Sequence, residues 1–147
     1  MMNDFDHHVA KMELSGHIVQ LGYVDDDELG WLYSNCFANL YPSLFEGFGM
    51  PILEGMTLGA IPIVGNNSSQ PEIVGDSGIL VDAEDAEALF SAMEQFATDS
   101  FELSLAKERC IKRSRSFSWQ QASDRLLQVY QHVASHPKRA ESEIIPH

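Results

Sequence analysis

Ser43-Leu44-Phe45-Glu46-Gly47-Phe48-Gly49-Met50-Pro51-Ile52-Leu53-Glu54-Gly55 is the stretch whose reading decides the fold. Its two carboxylates, Glu46 and Glu54, have seven residues between them, and Gly47 and Gly49 follow the first. Pro51 fixes φ near the helical value and suits the first position of a helix running toward Leu58. Gly59 stands where such a helix stops. The stretch reads as strand, glycine loop and helix N-terminus. Loops of this kind bring bare backbone N–H groups close to an anion. Glu46 falls in the loop and Glu54 in the second helical turn, so both border one crevice.

Working outward, residues 37–42 (FANLYP) read as the strand that delivers this loop, and residues 61–64 (IPIV) as a short apolar strand between Gly59 and Gly65. Residues 66–72 (NNSSQPE) form a polar loop, with a single helical turn starting at Pro71, and residues 78–82 (GILVD) are another strand. Upstream, residues 17–24 (HIVQLGYV) read as a strand with a glycine near its end. The acids of residues 25–28 suit the positive end of a helix that carries Leu29, Leu32 and Tyr33 on its apolar side, with Trp31 nearby, and ends at Ser34-Asn35. Continuous apolar runs alternating with helices are the pattern of parallel α/β units. Beyond Asp82 the chain turns helical. A first segment has Leu89, Met93 and Phe96 on one face, and a second over residues 101–115 is basic toward its end. A third, capped by Ser118, has Trp119, Ala122, Leu126, Leu127, Val129 and Tyr130 for apolar contacts. The expected organisation is a partial lead-in over residues 1–16, one α/β domain over 17–134 and a loose tail over 135–147.

The chain has 147 residues, enough for one domain or part of one, and is 44% hydrophobic. Its net charge of −13 and pI near 4.6 argue against binding nucleic-acid backbones or anionic membrane surfaces. The same charge makes binding of a phosphorylated ligand harder unless local donors outweigh the field. Cys36 and Cys110 form no repeated pattern and read as reduced thiols, buried as small apolar residues. Adjacent His7 and His8 point in different directions on a helix, so a solvated end fits them better than a metal. There is no signal pattern, and no apolar run approaches the roughly 20 residues that span a bilayer. A cytoplasmic protein is expected.

Several segments occur together in the order and spacing of a known family: residues 22–24 (GYV), 41–43 (YPS), 46–54 (EGFGMPILE), 59–64 (GAIPIV), 71–75 (PEIVG), 78–82 (GILVD) and 117–119 (FSW). Over residues 17–130 the chain resembles the retaining glycosyltransferases of the GT-B fold, family 4, the "group 1" transferases. The resemblance implies a C-terminal, donor-binding half with a Rossmann-like parallel sheet. It implies that Glu54 accepts hydrogen bonds from the donor's ribose and that Glu46, the catalytic candidate, lies against the donor sugar. It implies that the N–H groups of Phe48, Gly49 and Met50 face sugar hydroxyls, after the close backbone approach that Gly47 and Gly49 permit. The helix start Met50-Pro51-Ile52 faces the diphosphate through the N–H groups it has, and Tyr23 and Val24 lie by the nucleobase. No metal or other cofactor is implied beyond the nucleotide diphosphate sugar itself.

These roles agree with the chemistry. A carboxylate accepts two hydroxyl donors, as a ribose diol requires, and a helix N-terminus favours a leaving diphosphate. Each position also has a plainer reading. Pro51 and Gly59 fit a helix start and stop, Glu54 a solvated helix residue, Glu46 a loop acid and Tyr23 a half-buried aromatic. Glu72 reads as a first-turn acid, and Asn66, Asn67, Ser68 and Ser69 as residues that shape a loop.

The departure from the family is length. An acceptor-binding N-terminal domain and two βα units with a cationic pair have no counterpart here, so the chain reads as N-terminally truncated. A four-stranded parallel sheet follows, with residues 18–24 pairing directly to residues 37–41. The expected activity is hexosyl transfer with retention from a nucleotide diphosphate sugar to a glycoconjugate or polysaccharide. It would need a partner chain with the acceptor domain or self-association, and the isolated chain would be inactive. The alternatives are a non-catalytic nucleotide-sugar-binding remnant and a scaffold fragment. A glycosidase also uses paired carboxylates, but a glutamate on a helix below a glycine loop suits phosphate and ribose better than water activation.

Overall fold

The computed structural model describes residues 4–97 and 100–136. The chain divides into two compact units, Met1–Leu32 and Tyr33–His147. Most of the expected tail, residues 137–147, lies outside the described residues.

The first unit opens with α1, Asp4–Lys11. The residues from Ile18 to Val24 form no strand, contrary to the expectation. Val19 is 77% exposed and Leu21 55% exposed. A strand exists only through the ladder hydrogen bonds it shares with a neighbour, and apolar side chains alone do not supply them. Helix α2, Asp26–Asn35, starts where the acids predict. Asp25 Oδ1 accepts from Glu28 N–H at 2.8 Å and Glu28 Oε2 accepts from Asp25 N–H at 3.1 Å, a reciprocal cap.

The second unit carries a three-stranded parallel sheet of β1 (Asn39–Tyr41), β2 (Pro62–Gly65) and β3 (Ile79–Val81), in the order β1-β2-β3. The parallel α/β sheet, its flanking helices and the C-terminal helical segment are as expected, with three strands in place of four among the described residues. Asn39 pairs with Pro62, and Ile63 pairs with Leu40 on one side and Ile79 on the other. Pro62 lacks an N–H and sits first in its strand, where that costs the ladder least.

Every residue of central strand β2 is buried, and successive side chains serve opposite faces. Val64 joins a cluster with Ile52 and Met56 of α3 (Met50–Thr57), Ile73 and Val74 of α4 (Gln70–Val74), and Ala106 and Cys110 of α6 (Ser100–Ser114). Ile63 faces the other way, into a smaller cluster with Val81 and with Ala88, Leu89 and Ala92 of α5 (Ala86–Ala97). Each such aliphatic side chain contributes about 2 kcal/mol by leaving water. The face of α5 that packs is therefore Ala88-Leu89-Ala92, since alanines let the helix approach the sheet. Met93, expected on that face, is 42% exposed, and the Phe96 side chain lies outside the described residues.

Gly59 does stop α3. Its φ is +85°, its N–H donates to Met56 C=O at 3.1 Å, and Ala60 N–H donates to Gly55 C=O at 2.9 Å. That is a Schellman closure, which a residue with a side chain enters only with strain. The basic end of α6 serves a neighbour: the Arg113 guanidinium donates to the C=O groups of Ile73, at 3.0 Å, and Glu72 near the C-terminus of α4. Ser118 caps the last helix, α7 (Trp119–Ser135), by accepting from Gln121 N–H at 3.1 Å. The apolar side chains of α7 stay largely exposed: none of its residues is buried, and Leu126, Leu127, Val129 and Tyr130 are all more than half exposed.

Candidate functional site

In a parallel sheet all strands release their loops at the same edge, and the crevice outside the carboxyl ends is where such folds bind ligands. Here the loop leaving β1, residues 42–49, meets the loop leaving β2, residues 66–69. Gly65 makes the approach feasible: a Cβ there would stand 2.6 Å from Ser43 O and 2.8 Å from Asn67 Nδ2.

Gln70 ties the two loops together from within. It is fully buried and its amide is spent on three partners. Its Oε1 accepts from Gly65 N–H at 2.9 Å, and its Nε2 donates to Ser43 C=O at 2.7 Å and to Asn67 Oδ1 at 3.0 Å. Asn67 Nδ2 adds a bond to the same Ser43 C=O at 3.2 Å. A buried polar network whose members are all satisfied fixes one geometry, because every alternative leaves a desolvated group unpaired.

Nearer the rim, Ser68 and Ser69 hold the Glu46–Phe48 backbone. The Ser68 hydroxyl accepts from Glu46 N–H at 3.2 Å and donates to Glu46 C=O. The Ser69 hydroxyl donates to Phe48 C=O at 2.7 Å, with Glu46 C=O at 3.2 Å. Ser69 is the N-cap residue of α4, yet its side chain caps nothing there, because the loop has claimed it. Ser68 has φ +54°, a left-handed conformation that costs a residue with a Cβ about 1 kcal/mol. Residues 66–69 thus shape a loop, as their composition suggests, and the loop they shape is the one bearing Glu46.

The Glu46 carboxylate has a neighbour that sequence reasoning missed. Its interaction with the Tyr41 hydroxyl, at the end of β1, then burial and the carboxylate charge, hold the Tyr41 pKa above its ordinary value. The spacing Tyr41-x4-Glu46 carries no helical or strand periodicity, so no pattern announced it. Phe48, on the same loop, meets Phe117 edge to face at 6.0 Å between ring centroids, and Arg113 lies 5.0 Å over the Phe117 ring.

Gly49 ends the loop with φ +105° and is the N-cap of α3, with no side-chain cap bond. Its C=O accepts from Ile52 N–H at 3.0 Å and Leu53 N–H at 3.3 Å, so the Ile52 amide is already engaged within the helix. Pro51 has no N–H to offer. Glu54 is exposed on α3, whose buried positions are Ile52, Gly55 and Met56. Beside it Tyr33 packs against Gly55, where a Cβ would lie 3.2 Å from the ring. Burial, then the nearby Glu54 carboxylate, raises the Tyr33 pKa. Asn39 Nδ2 donates to Pro51 C=O at 3.2 Å and so ties β1 to the first turn of α3.

The structure thus gathers Glu46, Gly47, Phe48, Gly49, Met50, Pro51, Ile52 and Glu54 in one loop–helix element of the second unit. Tyr23 and Val24 belong to the first unit, where Tyr23 is 93% exposed and follows Gly22 at φ +67°. Glu72 is exposed in the first turn of α4, the place its dipole reading assigns it. A groove of about 520 Å³ opens beside Phe48, Met50 and Leu53, with Phe117, Trp119 and Ala122 also lining it. The lining is mainly apolar in area and is completed by Glu72, Ser116, Ser118, Gln121 and Arg125. Among the described residues, no three His, Cys, Asp or Glu side chains cluster as metal ligands, and no helix is long and apolar enough to cross a membrane.

Comparison with known proteins bears on the same element. An O-antigen chain mannosyltransferase B of Escherichia coli is 36% identical over 115 residues, covering 78% of this chain and 30% of that protein. An MMP alpha-(1->4)-mannosyltransferase of Mycolicibacterium hassiacum is 27% identical over 127 residues, covering 84% of this chain and 31% of its own length. The chain therefore spans under a third of either relative. A sucrose-phosphate synthase from Thermosynechococcus elongatus has the same fold, with a TM-score of 0.78 and 23% identity over 90% of this chain and 34% of that one. The family model described as glycosyl transferases group 1 matches residues 3–117, and the chain belongs to that family.

Proposed function

We propose that the loop–helix element of residues 43–55 binds a nucleoside diphosphate sugar and that mannose is the sugar. The observation that carries this reading is the prior fixing of the Glu46 backbone by Ser68 and Ser69, next to a helix start that no side chain caps. A donor-sugar hydroxyl then meets an acceptor already in place, and the diphosphate meets the positive end of α3. Glu54 accepts from the ribose diol. The mannosyltransferase names of the relatives support mannose over other hexoses.

The reaction is glycosyl transfer with retention. The bond from the anomeric carbon to the diphosphate oxygen breaks, a bond to an acceptor hydroxyl oxygen forms, and the hydroxyl proton leaves. The diphosphate is met by backbone donors without a metal, and the chemistry takes place in the cytoplasm. On this reading the acceptor side of the cleft is supplied by another domain, and the loop–helix element binds the donor without transferring it.

Calorimetric titration with GDP-mannose, UDP-mannose and the matching glucose donors tests this. Heat is expected with a mannosyl donor, unchanged by EDTA. Glu54→Ala is expected to weaken binding about tenfold or more, the range for a lost bond to a charged acceptor. Absence of heat with every donor overturns the reading, and robust transfer by the purified chain overturns the claim that it needs an acceptor domain. A non-catalytic donor-binding module is the second reading, and failure to restore transfer on adding an acceptor domain would select it.

A further inference from the structure

We propose that Ser68 is a positioning residue for donor binding: it spends a left-handed backbone conformation to lock the peptide of Glu46, and so aims the Glu46 carboxylate before the donor arrives. This rests on the donor-binding reading above.

Three observations meet at one residue. Ser68 is one of two residues other than glycine with positive φ among those described, at +54°. Its single hydroxyl uses both of its capacities on one residue across the crevice, accepting from the N–H and donating to the C=O of Glu46. The contact joins residues 22 apart in sequence, so it links the loop after β1 to the loop after β2. A strained conformation persists only where surrounding structure over-determines it, and such residues concentrate at binding and catalytic sites. Here the surround is visible. Gln70 and Asn67 pin the flanking backbone, and Ser69 holds Phe48, so Ser68 is forced into position with its hydroxyl on the Glu46 peptide. Glycine at 68 would relieve the conformation, but it would leave the Glu46 N–H without its partner and the Glu46 C=O to Ser69 alone.

That opposition supplies the test. Ser68→Gly removes the hydroxyl and the conformational cost together, whereas Ser68→Ala removes the hydroxyl and keeps the cost. If Ser68 positions Glu46, both variants bind the mannosyl donor about tenfold more weakly than the parent chain. Both also speed amide hydrogen exchange at residues 45–48 in the ligand-free protein. Ser68→Gly does so while unfolding at an equal or higher urea concentration than Ser68→Ala. Unchanged exchange in both variants overturns the proposal whether or not any donor binds. Donor affinity that follows urea stability, recovering in Ser68→Gly, overturns it as well, by assigning Ser68 a structural role alone. Absence of donor binding by the parent chain instead overturns the site reading, and the positioning role falls with it.

Discussion

Residues 18–24 and residues 61–65 look alike as sequence, IVQLGYV against IPIVG, and the molecule treats them oppositely. Both are apolar runs that contain a glycine near the end. The second is the buried centre of a parallel sheet, with Ile63 and Val64 fully removed from water between two clusters. The first forms no strand and leaves Val19 and Leu21 largely in solvent. Composition sets a tendency, and the supply of neighbouring strands and helices sets the outcome. β2 has a strand on each side and a helix layer on each face.

The largest expected difference comes from placing a charge in each run. Val64→Asp should remove about 4 kcal/mol or more of stability, because the carboxylate is buried without a partner. Val19→Asp should change it by no more than about 0.5 kcal/mol, as for other exposed sites. Urea unfolding of the two variants checks this, and a comparable loss in both would break the comparison.

The two glycines give the next contrast. Gly65→Ala presses a methyl group into Ser43 O and Asn67 Nδ2, at a cost of about 2–3 kcal/mol. Gly22→Ala meets open space and pays only for φ +67°, about 1 kcal/mol. Gly65→Ala should also disturb the loop that bears Glu46, which donor titration would register.

Cys110 sharpens the picture of the core against which β2 packs. Burial pushes its thiol from 9.0 up to about 11, and its Sγ donates to Ser77 C=O at 2.8 Å. In the unfolded chain the thiol ionises near its ordinary value, while in the folded chain it keeps its proton. Stability should therefore fall as pH rises from about 9 to about 11, by about 2 kcal/mol in total. The raised Cys36, Tyr33 and Tyr41 groups act in the same direction. Urea midpoints at pH 8.5 and 10.5 for the parent and Cys110→Ala isolate the thiol, and an identical fall in both would remove it as the cause.

The smallest effect is expected at Ser118. A lost N-cap costs about 1 kcal/mol locally. No residue of α7 is buried, so Ser118→Ala should leave the urea midpoint almost unmoved while hydrogen exchange in the first turn of α7 quickens. A large global loss would show that α7 stabilises the second unit after all.

The candidate site was legible in unequal parts. Glycines and a proline at fixed positions announce a loop and a helix start, since their backbone preferences are local. The bonding of Ser68 and Ser69 to the same loop was not legible. Those contacts arise because two parallel strands deliver their loops to one edge, and nothing in the spacing of residues 46, 68 and 69 encodes that edge. The face of α5 was misread for a related reason. The larger Met93 suggested a core position, but the distance between helix and sheet favours Ala88 and Ala92.

What the sequence determined by itself was local or cumulative. It set the capping of α2 by Asp25 and Glu28, the stop at Gly59, the parallel α/β class, and a motif series specific enough to indicate the family. Each follows from the conformational limits of single residues or from apolar periodicity. Only the tertiary structure decided which apolar runs became strands, which helix faces were buried, and how the glycine loop was held. Those outcomes depend on partners far away in the chain. In this protein the decisive partner is the loop after β2, whose serines and amides fix the loop after β1.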